Sequence, residues 1–178
     1  GKDADSGQPI VYDATAGEVV RVDGGRSVTL GVFGVAVVEE ASVLVLQQRR
    51  DGGDGVLALP QLAGVPRVMV SGFAAGATYR IDAQALAHYQ QIVIDDHAQT
   101  ATIELAVSDP TALLVQKDGD QLVLWDPESD TGIIIRNLDR VEISKLRLSV
   151  GGREIKVHTL IKQETRTDKQ VRLWESLR

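Results

Sequence analysis

The sequence predicts an all-β chain, with an antiparallel β-sandwich-like body followed by a hairpin and a long C-terminal β-ribbon. Two observations carry this expectation. Short runs rich in Val, Ile, Leu and Thr recur along the chain, bounded by Gly, Asp, Asn and Pro, which is how strands and their turns read. Helical periodicity, in contrast, is confined to Ala83–Tyr89.

Taken in order, Glu18–Asp23 and Arg26–Leu30 face each other across Gly24-Gly25, a dipeptide that tolerates the positive φ angles of a tight hairpin. Ser42–Gln47 is an unbroken apolar run of the kind buried on both faces, and Asp51-Gly-Gly-Asp-Gly55 ends it. Val56–Leu59 and Arg67–Val70 follow, with Pro60 and Pro66 bracketing a connection that needs no ladder donor. Thr78–Asp82 leads into the short helix, for which Asp82 is the N-cap.

Gln91–Asp95 and Thr100–Val107 return to strand character. The second alternates Ala101, Ile103, Leu105 and Val107 against Thr102, Glu104 and Ala106, which predicts one solvated face. Ala112–Gln116 and Gln121–Trp125 form a hairpin across Lys117-Asp-Gly-Asp120. Arg140–Val150 and Arg153–Gln163, joined by Gly151-Gly152, make the long ribbon, and Gln170–Trp174 supplies a third strand. A change of apolar parity after Val141 and Ile143 predicts a β-bulge near Ser144-Lys145. Ser108-Asp109-Pro110 is the best boundary, dividing a body over 1–108 from a hairpin and ribbon region over 109–178, with a single domain as the alternative.

A chain of 178 residues buries a sizeable core without staples. The absence of cysteine excludes a disulfide scaffold, thiolate metal sites and cysteine nucleophiles, and leaves the compartment open, with an extracellular or virion setting favoured. The longest apolar runs fall far short of the roughly 20 residues that cross a bilayer, so no membrane partner is expected. The chain opens on Gly1 and holds one methionine, Met69, which reads as a piece of something longer.

Net charge is −6, but it is unevenly spread. Residues 1–135 carry 8 Lys and Arg against 19 Asp and Glu, whereas residues 136–178 carry 11 against 6. An acidic body thus bears a basic tail. Glu142 and Glu154 interleave with the tail's cations, so nucleic acid is not the expected partner.

Motifs that carry chemistry are missing. His88, His97 and His158 have no metal-ligand spacing, and no nucleophile elbow, phosphate-cradling loop or dinucleotide fingerprint is present. The acidic loops at Asp51/Asp54, Asp118/Asp120 and Asp126/Glu128/Asp130 offer oxygens to calcium, yet Asp, Gly and Asn are also what β-turns demand. No cofactor and no metal are expected. A small β-sandwich lyase or hydrolase using Tyr79, His88 or Arg80 is the third reading, behind two binding roles.

The first of these is a non-catalytic structural or interaction module of a larger assembly, of the virion-tail or surface-structure kind. It associates with itself or with an acidic protein surface through the basic ribbon, where Lys145, Arg147, Arg153, Lys156 and Trp174 are the candidate binding residues. The second is a carbohydrate-binding accessory domain of a secreted polysaccharide-active enzyme, with a glycan as partner. It is weakened by an aromatic content of only 4%. The ribbon needs something to lie against, since an isolated hairpin is marginal in water, and the competing expectation is that it folds back on its own body.

Overall fold

A computed structural model of the chain describes residues 10–12, 19–21, 27–29, 33–39, 43–48, 55–72, 76–96, 102–107, 112–136 and 147–156. In chain order the elements are β1 (Ile10–Tyr12), β2 (Val19–Arg21), β3 (Ser27–Thr29), β4 (Phe33–Glu39), β5 (Val43–Gln48), β6 (Val56–Ala58), β7 (Arg67–Gly72), β8 (Thr78–Ile81), α1 (Ala83–His88), β9 (Gln91–Asp96), β10 (Thr102–Leu105), β11 (Leu114–Asp118), β12 (Gln121–Asp126), β13 (Thr131–Arg136), β14 (Arg147–Val150) and β15 (Arg153–Lys156). The all-β class holds, and α1 is the one helix among the described residues.

The strand direction differs from expectation. One sheet runs β1-β4-β5-β7-β9-β13-β12-β11 and a second β15-β14-β10-β8-β6, with β2 and β3 as a separate pair. At the centre of the first sheet β5, β7, β9 and β13 are mutually parallel. So are β6, β8, β10 and β14 in the second. Successive strands alternate between sheets: β5 leads to β6, β7 to β8, β9 to β10, and β13 to β14. The chain therefore winds as a coil of two-strand turns, and each strand re-enters its sheet in the direction of the one before. Within these two sheets, among the described residues, antiparallel pairing is confined to the margins, involving β1 and β4 at one end and β11, β12 and β15 at the other.

The coil is held by side chains stacked between its turns. Val38, Leu44, Val68, Ile92, Ile133 and Leu124 form one register line across the first sheet, and Ala36, Leu46, Val70, Ile94, Ile135 and Leu122 form the next. Leu57, Tyr79, Ile103 and Leu148 answer them from the second sheet. All belong to one buried cluster. Burying each large aliphatic side chain contributes on the order of 1.5–3 kcal/mol. Strands from both sides of residue 108 share both sheets and this core: β13 pairs with β9, and β14 with β10.

The hairpins expected across Gly24-Gly25, Lys117–Asp120 and Gly151-Gly152 correspond to the antiparallel pairs β2–β3, β11–β12 and β14–β15; Gly24 and Gly25 themselves lie outside the described residues, and β11–β12 turns on Gly119-Asp120 between the paired Asp118 and Gln121. Of the expected ribbon, residues 147–156 are described. Its described strands are four residues each, and β14 is hydrogen-bonded to β10 on its other side, with Leu148 and Val150 fully buried. The bulge at Ser144-Lys145 and the strand at Gln170–Trp174 lie outside the described residues.

At one corner the connections stack. Asp82 caps α1 by accepting from the Ala85 N–H at 2.8 Å. Past the helix, the Gln90 N–H donates to the Pro66 carbonyl at 2.8 Å, and the Gly132 N–H to the Gln90 carbonyl at 3.0 Å. Tyr89, 1% exposed, locks two layers together. Its hydroxyl donates to the Pro60 carbonyl and accepts from the Leu62 N–H at 3.3 Å. His88 Nε2 donates to the Leu62 carbonyl at 2.8 Å, since a carbonyl can only accept. The buried Thr131 hydroxyl joins the third layer through the carbonyls of Leu86 and Tyr89.

Two predictions follow from these contacts. Burial pushes the Tyr89 phenol up from 10.0 to about 12, against the opposing effect of its backbone hydrogen bond with Leu62. Because the folded state holds this proton when the unfolded chain has released it, the contribution is intact below pH 10 and lost between pH 10 and 12. The loss amounts to roughly 2–3 kcal/mol. In denaturant titrations across that window, Tyr89→Phe is expected to start less stable and to lose less than the native chain.

The second prediction concerns Gly72, where an added Cβ would lie 1.6 Å from the Tyr79 hydroxyl oxygen and 2.9 Å from its Cζ. Tyr79 is fully buried, so its ring has little room to yield. Gly72→Ala is expected to cost upwards of about 1–3 kcal/mol in urea unfolding, with Tyr79→Phe in the same chain recovering part of the loss.

Candidate interaction surface

The β14–β15 hairpin is set by its turn. Gly151 and Gly152 take φ values of 57° and 80°, the consecutive left-handed pair that a type I′ turn requires and that β-carbons disfavour. The turn fixes the register: Val150 opposes Arg153, Ser149 opposes Glu154, Leu148 opposes Ile155, and Arg147 opposes Lys156. β15 is the edge of its sheet among the described residues, with Arg153, Glu154 and Lys156 exposed and Ile155 half-buried against the core.

Of the five residues expected to bind, the structure gathers Arg147, Arg153 and Lys156 on this one hairpin; Lys145 and Trp174 lie outside the described residues. Arg147 and Lys156 stand directly opposite each other on the outer face, a like-charge pair that destabilises its strands in isolation. Two register lines cross the outer face. Val56, Thr78, Thr102, Arg147 and Lys156 make one, and Ala58, Arg80, Glu104, Ser149 and Glu154 the other. Within the second, Arg80 Nε meets Glu104 Oε2 at 2.9 Å, but with the side chains 53% and 38% exposed the pair is worth under about 1 kcal/mol.

Next to the hairpin turn, the carboxyl ends of β8, β10 and β14 border an open groove of about 440 Å³, lined by Arg80, Asp82, Glu104, Ser149, Gly151 and Gly152 among others. Its charges are largely committed, with Arg80 and Glu104 paired and Asp82 capping α1. Sequence reasoning missed this groove because its residues come together only through parallel pairing of strands far apart in the chain.

Sequence reasoning also missed an apolar line on the outer face of the first sheet, through Val45, Met69, Val93, Ile134 and Val123. Val93, Ile134 and Val123 are buried, with Met69 packed against them. Arg136 sits beside this line, its Nη1 3.9 Å from Met69 Sδ and its buried Nε without a hydrogen-bond partner among the described residues.

Tyr79 and Arg80, two of the residues named for an enzymatic reading, do not share a face. As neighbours on β8 they face opposite sides of the sheet, Tyr79 fully buried and Arg80 exposed. His88 is held to the Leu62 carbonyl. In the acidic loop after β12, Asp126 is 3% exposed and spends both oxygens on its own turn, accepting from the Glu128 N–H at 3.2 Å and the Ser129 hydroxyl at 2.7 Å. Asp130 then adopts φ 60° to reverse the chain into β13. No protein-family model matches the chain, and no curated protein sequence matches it.

Proposed function

We propose that this chain is a non-catalytic structural or interaction module of a larger assembly, of the virion-tail or surface-structure kind, and that it associates through its basic C-terminal hairpin. The observation that carries the reading is the β14–β15 hairpin, where Arg147 of β14 and Arg153 and Lys156 of β15 stand exposed, and which Leu148 and Val150 of β14 anchor to the coil. Such a site is rigid, so little ordering entropy opposes association. Opposite charge on a partner, whether an acidic neighbour or the −11 body of a second copy (residues 1–135, from 8 cations and 19 anions), supplies rate and orientation more than affinity.

A glycan-binding accessory role is the second reading, favoured by the groove at the ends of β8, β10 and β14. Arg80, Glu104 and Ser149 offer it the donors and acceptors that hydroxyl groups need. The described residues that line the groove include no aromatic ring for stacking, which places this reading behind the first.

Removing the ribbon is a poor test, because it would strip β14 from the core. Charge reversal is cleaner. Sedimentation of the full chain, alone and with polyglutamate as an acidic probe, is expected to show association that weakens from low to moderate salt. Arg147→Glu, Arg153→Glu and Lys156→Glu combined should weaken it at least tenfold while leaving the thermal midpoint within a few degrees. A native chain that stays monomeric and ignores the probe, or a reversed chain that associates equally well, would contradict the reading.

A further inference from the structure

We infer that the hairpin edge pairs with a second copy of this chain, β15 against β15 antiparallel, about a two-fold axis through Ile155. The inference rests on the association proposed above and specifies its partner. It comes from the register of the hairpin together with the charge order along β15.

The two residues flanking a two-residue turn exchange both ladder hydrogen bonds, so Val150 and Arg153 form such a pair, and the pattern alternates from there. Ile155 therefore directs its amide and carbonyl towards Leu148. The amides and carbonyls of Glu154 and Lys156 point away from β14, to the edge that is open among the described residues. A two-fold antiparallel partner must meet outward residues with outward residues, which requires the axis to pass through a residue and not between two.

Side chains then choose among the centres. An axis through Glu154 sets Glu154 against itself, and one through Lys156 sets Lys156 against itself; like charges directly opposite are destabilising. An axis through Ile155 sets Ile155 against Ile155 and Glu154 against Lys156 twice over. This register also places an acid beside the unrelieved Arg147 and Lys156 pair and extends the half-buried Ile155 contact into a continuous inner face. A lysine on an edge strand ordinarily blocks indiscriminate pairing. Here Glu154, two positions away, cancels that block in one register alone, so the same residues that prevent general aggregation select self-pairing.

The test uses the full chain, which has no cysteine and so accepts single reporter thiols. Ile155→Cys is expected to form an intermolecular disulfide under mild oxidation, because the two residues face each other at a non-hydrogen-bonded position about 4.5 Å apart between Cα atoms, within disulfide reach. Should that substitution disturb the core, mixing Glu154→Cys with Lys156→Cys chains gives a second readout: the mixed disulfide should exceed either self-disulfide. In sedimentation equilibrium, Glu154→Lys or Lys156→Glu alone should weaken the dimer at least tenfold. The combined E154K/K156E chain should recover affinity to within about threefold of the native value. Cross-links that fail in both designs, or a dimer indifferent to the charge swap, would overturn the register. A native chain that stays monomeric yet binds polyglutamate through its basic hairpin would overturn self-pairing while leaving the association reading intact.

Discussion

Aliphatic side chains stacked from one turn of the coil to the next are the contact on which the rest of this molecule depends. Leu44, Val68, Ile92 and Ile133 come from four successive passes through the first sheet and lie in a single register line; Leu46, Val70, Ile94 and Ile135 repeat the arrangement two residues on. A slip of one residue in any strand would move its aliphatic pair to the opposite face, so these lines fix register as well as stability. The corner where Tyr89 joins the Pro60–Leu62 connection to α1, and Thr131 joins α1 to the next layer, depends on that register to bring its partners within reach.

A coil of this kind grows in one dimension, so its surface divides into faces and ends. The two sheets end unevenly: the first carries β4 and β1 beyond β5 and β12 and β11 beyond β13, whereas the second ends on β6 and β15 among the described residues. Edges are where a β-protein meets other chains unless charge or covering prevents it. At β6 the edge is three residues long. At β15 the edge is dressed with alternating charge, and this is where the proposed role resides. In that proposal the coil is the scaffold and the hairpin contributes selectivity.

Features decided within a few residues were legible in the sequence. The Gly151-Gly152 and Lys117–Asp120 turns, the Asp82 cap and the single short helix follow from local backbone chemistry and appear where expected. Strand direction was not legible, because an apolar run looks the same whether its partner is parallel or antiparallel. Two signals nevertheless pointed to the coil. Ile133–Ile135 and Leu44–Leu46 are continuous aliphatic runs of the type parallel strands show when buried on both faces. Leu44, Val68 and Ile92 also recur at intervals of 24 residues, as do Tyr79 and Ile103. The interval then stretches to 41 residues between Ile92 and Ile133, because the β11–β12 hairpin is inserted into that turn, and this interruption hid the repeat. The basic residues of the hairpin, with Glu154 between them, were legible as a cluster; that they mark a sheet edge emerged only from the strand order.

The parallel coil is best tested by the side-chain order between β7 and β9 in solution. Methyl-to-methyl nuclear Overhauser effects in a selectively labelled sample report it directly. The account predicts contacts of Val68 with Ile92 and of Val70 with Ile94, continuing to Ile133 and Ile135, and no close Hα–Hα approach between these strands. The reverse order, Val68 with Ile94 and Val70 with Ile92 accompanied by Hα–Hα contacts, would contradict it.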